Sequence, residues 1–271
     1  MARCIHFISG LPRSGSTLLS AILRQNPAFH AGMSGPMGGL FGSLLGEMSA
    51  RNENSVFIGD SHRQAILRGL IENYYAVETE RRVVFDTHRS WCTRMPALAE
   101  LFPGSKVIAC VREVQWIVDS VERLVRRNKL QPSLMFNFQA GGTVYSRADL
   151  LAGPDGLVGY AHRAVREAFY GDHPQNLLLL QYETLTSEPA RALGAIYDFI
   201  GEPSFDHNFK DVHFEDARFD ARAGTPGLHS VARQVQHQER PSILPPDLFR
   251  RFAGESFWRS PGFIPGKVLV V

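Results

Sequence analysis

The chain has 271 residues with an ordinary globular composition, 44% hydrophobic and 21% charged, which suits one large α/β domain and excludes a low-complexity or repeat protein. Lys and Arg number 29 against 27 Asp and Glu, so the net charge of +2 gives no nucleic-acid or membrane footprint and basic groups must act locally. The three cysteines, Cys4, Cys92 and Cys110, cannot all pair, and Cys4 and Cys110 sit in apolar runs, which is cytoplasmic usage.

The chain passes from Met1-Ala2-Arg3 into a predicted strand at residues 5–8 without the apolar segment of a secretion signal, and no later run reaches membrane-spanning length. The expectation is a soluble, unexported protein. Next comes Gly10-Leu11-Pro12-Arg13-Ser14-Gly15-Ser16-Thr17, leading into a helix-like run at 18–24. In a strand, glycine-bearing turn and helix, successive N–H groups and a helix N-terminus converge on an anion, and Ser16 and Thr17 add hydroxyl donors. A triphosphate-binding turn reads G-x-x-x-x-G-K-[ST]. Here Ser16 stands in the lysine slot and Arg13 is the only cation, so the expected ligand is a nucleotide with a short 5′ chain. The alternative is a small-metabolite kinase using ATP and magnesium through a degenerate turn, and Ser16 counts against it.

Residues 32–46 (GMSGPMGGLFGSLLG) gather glycine and methionine around Pro36 and read as an acceptor-side loop or helix pair. Met33, Met37, Phe41, Met48, Trp91, Phe136 and Phe138 suggest an apolar contact surface, although such side chains more often build a core. The strand predicted at 83–85 continues through Asp86-Thr87-His88, placing Asp86 and His88 two residues apart on one face at its carboxyl end, where parallel sheets bind ligands. His88 suits general-base work near neutrality. Asp86 either orients it or acts itself, and Glu47 and Asp60 compete for the same role.

A third strand is predicted at 107–111, with Arg112 emerging from its carboxyl end. Val114, Ile117, Val118, Val121, Leu124 and Val125 then trace the stripe of a helix on a sheet, with Arg123, Arg126 and Arg127 on its solvated face. Arg112 and Ser120 together would clamp a second phosphate. A strand at 177–180 runs on to Tyr182, and Ser187-Glu188-Pro189 starts a helix that Gly201 closes. Solid apolar strands alternating with helices predict a three-layer, P-loop-like α/β fold with a central mostly parallel sheet flanked by helices. Residues 1–271 form one domain in this reading, with 201–271 its covering segment. The ten histidines lack metal-ligand spacing, so no metal is expected.

Through Gly10 to Thr17, Thr87-His88, Arg112 with Ser120, and Gln181-Tyr182-Glu183-Thr184-Leu185, the chain resembles the cytosolic sulfotransferase superfamily that uses 3′-phosphoadenosine-5′-phosphosulfate (PAPS). The resemblance implies in-line transfer of the sulfuryl group to a hydroxyl or amine, with adenosine 3′,5′-bisphosphate as product and no magnesium. It implies that Pro12, Arg13, Ser14, Gly15, Ser16 and Thr17 hold the 5′-phosphosulfate, with Arg13 steadying the bridging oxygen. Arg112 and Ser120 would bind the 3′-phosphate, Tyr182 would lie beside the adenine, and His88 would carry the base. The tyrosylprotein branch uses a Glu instead. The Arg-Lys-Gly pattern of animal cytosolic members is not legible, and Gly227-Leu228-His229-Ser230-Val231-Ala232-Arg233 stands in for it with Arg233 on the 3′-phosphate. These departures lean towards bacterial small-molecule enzymes. The small-molecule acceptor (phenol, alcohol, sugar or peptide) is left open, as is pairing into a homodimer.

Overall fold

Six runs form strands: β1 (Cys4–Gly10), β2 (Phe29–Ala31), β3 (Val83–Thr87), β4 (Val107–Val111), β5 (Leu177–Gln181) and β6 (Leu269–Val270). They make one sheet in the order β2-β3-β1-β4-β5-β6, with every neighbouring pair parallel. The computed structural model that shows this describes residues 3–136, 142–214, 217–259, 266 and 268–271. Phe138 lies outside the described residues.

Between the strands run α1 (Ser16–Leu23), α2 (Met37–Glu47), α3 (Asp60–Glu78), α4 (Met95–Leu101), α5 (Val114–Arg127), α6 (Val144–Ala152), α7 (Leu157–Tyr170), α8 (Tyr182–Ser187) and α9 (Pro189–Ile200). Two short helices follow, α10 (Ala217–Arg222) and α11 (Pro246–Arg251). Pro189 opens α9, where its missing N–H costs nothing, and Gly201 at φ 71° closes it in the left-handed region.

Alternate strand residues feed opposite faces of the sheet. Phe7, Val84, Val107, Ala109, Val111, Leu177 and Leu179 pack in one core with Phe41, Ile71, Leu98, Ile117 and Phe169. Ile8, Phe85, Ile108, Cys110, Leu178 and Leu180 pack in the other with Leu19, Ile22, Leu193, Ile196 and Tyr197. This is the three-layer α/β architecture expected of solid apolar strands. Most of the methionine and aromatic candidates for acceptor contact belong to the first core: Met37, Phe41, Met48, Trp91 and Phe136 are buried there.

Because β1 lies between β3 and β4, the chain leaves β1 at a switch point. Ile8 is in register with Thr87 and Gly10 with Cys110, so the carboxyl ends of β3 and β4 flank the turn that follows β1. The basic face of α5 is not merely solvated. Arg123 and Arg126 pair with Asp119 and Glu122 one turn back and also donate to the carbonyls of Pro241 and Ile243, tying the C-terminal segment to the helix.

Candidate active site

The turn after β1 is fixed by its neighbours. Gly10 sits at φ 114°, and a Cβ there would collide with the backbone of Cys110 on β4, so only glycine lets the two strands approach this closely. The Leu11 N–H then donates to the Cys110 carbonyl at 2.8 Å. The Ser14 hydroxyl turns inward to the carbonyls of Leu11 and Cys110. It therefore braces the turn, and the expectation that it holds a ligand is corrected to its backbone N–H alone. Arg13 adopts φ 58°, the one positive φ among the described non-glycine residues, a strain of the kind that persists at ligand clamps. The backbone N–H groups of residues 13–17 have no acceptor among the described residues, and Gly15 begins α1 without a side-chain cap. They form a ready anion cradle.

Three guanidinium groups gather beside it. Arg13 donates from Nε to Ser120 Oγ at 3.1 Å and from Nη1 to the Leu228 carbonyl. Arg112, leaving β4, lies 4.0 Å over the Tyr182 ring and reaches the Arg13 carbonyl at 3.4 Å, while its buried Nε has no partner among the described residues. Arg240 donates to Asp119 at 2.9 Å. Burial first, and then Arg112, pulls the Arg13 guanidinium down to about 10. Burial likewise lowers Arg112, with Arg240 adding to it. Such mutual repulsion in a partly dry place fits a bound polyanion that would neutralise it.

At the end of β3, His88 caps a 3-10 turn (Arg89–Arg94), with Nδ1 2.7 Å from Ser90 Oγ and 3.2 Å from Ser90 N. Nothing among the described residues bonds its Nε2. Burial, and then Arg89, lowers its pKa, so it is neutral near pH 7. A Cβ at Gly38 would collide with the His88 ring, which explains one glycine of the 32–46 stretch. Asp86 behaves differently. It is fully buried and accepts from Tyr75 Oη at 2.5 Å and Trp91 Nε1 at 2.7 Å. Burial raises its pKa against those two bonds. Asp86 thus ties α3 to β3 and neither orients His88 nor faces the ligand space, a correction to its catalytic candidacy.

All of this lines one cavity of about 530 Å³ at the carboxyl end of the sheet. Pro12, Arg13, Gly15, Ser16, Thr17, His88, Arg112, Ser120 and Tyr182 line it, whereas Ser14, Asp86 and Arg233 do not. Glu47 and Asp60 lie outside it, on exposed parts of α2 and α3. Arg233 projects into solvent, its side chain 79% exposed and paired with Asp211, so the 3′-phosphate role expected of it does not fit its position. Arg240 lines the cavity instead. Asp119 holds it there, also binding Arg123, Ser242 and the Ile243 N–H, and these bonds keep Asp119 below its usual range although burial opposes them.

Sequence reasoning also missed a second imidazole. His229 lines the cavity with Nδ1 2.6 Å from the buried carboxylate of Asp220, which accepts the His229 N–H as well. The pair is nine residues apart in a segment without periodicity, and no sequence signal marks it. Across the described lining residues there are four arginines, two histidines and no acid. Such a surface suits anionic ligands.

No curated protein matches this sequence. Among solved structures, the chain is similar to the sulfotransferase domain from the curacin biosynthetic pathway (TM-score 0.52, 19% identity, 98% of this chain and 95% of that one covered). It is similar also to the sulfotransferase domain of the Synechococcus PCC 7002 olefin synthase (TM-score 0.52, 20% identity, coverage 93% and 96%). A third is a sulfotransferase from Alicyclobacillus acidocaldarius (TM-score 0.51, 13% identity, coverage 77% and 85%). These likenesses show the fold. The sulfotransferase family model matches residues 6–207, the span that carries the turn, His88, Arg112, Ser120 and Tyr182. With Ser16 in the lysine slot, the kinase alternative is not favoured, and the chain belongs to the sulfotransferase family, whose chemistry is sulfuryl transfer.

Proposed function

We propose that the protein transfers the sulfuryl group of PAPS to a hydroxyl of a small-molecule acceptor. The observation that carries this reading is the buried Arg112 Nε within a cluster of three guanidinium groups, beside a backbone cradle, both without partners among the described residues, and no acid among the described residues lining the cavity. One anion would satisfy the cradle and a second the arginines. A nucleotide phosphorylated at both 5′ and 3′ positions presents two such anions, and the Tyr182 ring lines the same cavity.

PAPS, when bound, supplies a sulfuryl group whose S–O bond to phosphate breaks as a new S–O bond to the acceptor oxygen forms. The N–H groups of residues 13–17 and the hydroxyls of Ser16 and Thr17 hold the 5′ end. Arg13 stabilises the charge that develops on the leaving phosphate. Arg112, Ser120 and Arg240 hold the 3′-phosphate. His88 takes the acceptor's proton at Nε2. For this, Nδ1 must carry the proton and donate to Ser90 Oγ instead of accepting the Ser90 N–H, so base work exchanges the cap bond for the hydroxyl bond.

The reading extends to a single domain over residues 1–271 and to a cytoplasmic enzyme of the bacterial, small-molecule kind. Its support is three unpaired cysteines and a C-terminal segment whose Leu244, Leu248 and Trp258 are buried in the first core. Among the described residues no helix is long and apolar enough to cross a membrane.

Thermal unfolding with adenosine 3′,5′-bisphosphate, AMP, and ATP with magnesium tests the donor. A ligand at about a hundred times its Kd adds roughly 2.7 kcal/mol. The bisphosphate should therefore raise Tm by roughly 5 to 10 °C for a chain near this size, and AMP by much less. A shift with ATP and magnesium alone would overturn the proposal.

A further inference from the structure

One cavity arginine has no counter-charge among the described residues. Arg89 follows His88 at the start of the 3-10 turn; its side chain is exposed to the cavity, and no described residue bonds or pairs with its guanidinium. The other three are held: Arg13 by Ser120 and the Leu228 carbonyl, Arg112 by the Tyr182 ring and the Arg13 carbonyl, and Arg240 by Asp119. Arg89 also stands apart from them electrostatically. Arg112 and Arg240 each act on Arg13, whereas Arg89 acts on His88. Surrounding protein pulls the Arg89 guanidinium down, although the cavity keeps it wet. No acid among the described lining residues supplies a counter-charge.

The same cavity presents Met33, just past β2 and beside β3, together with Leu134, Met135 and Leu157. Apolar side chains, one guanidinium without a described partner and a free imidazole nitrogen share this cavity, and together they describe the ligand that fits. We propose that Arg89 is a specificity-determining residue that binds an oxyanion of the acceptor, which is an amphiphile carrying a carboxylate or phosphate on an apolar chain. That the hydroxyl to be sulfated reaches His88 rests on the sulfotransferase reading. The anion site itself does not.

The test measures binding of decanoate, decyl phosphate and decanol to the full chain, with and without adenosine 3′,5′-bisphosphate. Decanoate or decyl phosphate should bind at least about tenfold more tightly than decanol, the scale of one charge-assisted hydrogen bond. The tighter of the two identifies the oxyanion. Arg89→Gln should bring the preferred anion to the affinity of decanol while leaving decanol unchanged, and Arg89→Lys should keep part of the preference. Equal binding of all three probes to the unaltered protein, or a preference that survives Arg89→Gln, would overturn the proposal. The bisphosphate should stabilise Arg89→Gln as it does the parent protein. If it stabilises neither, the donor assignment fails, and the three probes still decide the role of Arg89.

Discussion

The two walls of the cavity are built in different ways. The turn after β1 draws its donors from consecutive backbone groups, held in shape by Gly10 against β4 and by the inward hydroxyl of Ser14. The opposite wall is assembled from separate segments: Arg89 beside β3, Leu134 and Met135 after α5, and the 217–240 stretch carrying His229 and Arg240. That wall is fastened by side-chain bonds such as Asp119 to Arg240 and Asp220 to His229. A backbone-made site presents the same groups to any ligand of the right shape. A side-chain-made wall can be changed one residue at a time without unfolding the sheet.

Arg13 joins the two walls, since it belongs to the turn and bonds the Leu228 carbonyl on the other side. Its replacement should have the largest effect. Arg13→Ala is expected to lower kcat by at least about 100-fold, the scale of losing one donor to developing charge. The Kd for the bisphosphate should change far less, because the contact strengthens as the leaving phosphate gains charge. Single-turnover kinetics with PAPS alongside calorimetry with the bisphosphate separates the two. An unchanged rate would remove Arg13 from the transition state.

Smaller effects should rank the arginines of the 3′-phosphate. Arg112→Ala is expected to cost about 1.5 to 3 kcal/mol of bisphosphate affinity, roughly 10- to 150-fold in Kd, and to narrow discrimination against AMP by the same factor. Arg240→Ala should fall in the same direction with a smaller cost, because Asp119 already shares its charge. Arg233→Ala should leave Kd within about twofold, as expected of an exposed side chain paired with Asp211. A larger loss at Arg233 than at Arg240 would show that the covering segment rearranges when ligand binds.

The contrast between the walls also explains what the sequence could tell. The turn was legible because its strand, glycines, arginine and helix are contiguous, and the strands at 83–85, 107–111 and 177–180 because they are uninterrupted apolar runs. Strands β2 and β6 were not, having three and two residues. Asp86 was misread because the pleat gives its direction and not its company. Tyr75 arrives from α3 and Trp91 from the 3-10 turn, and only the fold shows that they enclose it. Arg233 was chosen over Arg240 because an aperiodic loop fixes no direction for its side chains, and the anchor that places Arg240 is Asp119, 121 residues earlier. For Ser14, residue type alone does not say whether a hydroxyl points to ligand or to core.

His88 offers the finest test of which wall does the chemistry. A protonated imidazole cannot accept the acceptor's proton, so kcat/KM should fall as pH drops through the pKa of His88. That pKa lies below the usual 6.5, chiefly through burial and secondarily through Arg89. The acid limb should therefore lie below pH 6.5 and vanish in His88→Gln along with most of the rate. Arg89→Gln removes only the lesser cause, so it should move the limb upward towards 6.5 without passing it, measured on a neutral acceptor. His229, held by Asp220, is the other imidazole lining the cavity. If the limb survives in His88→Gln and is lost in His229→Gln, proton transfer belongs to the covering segment.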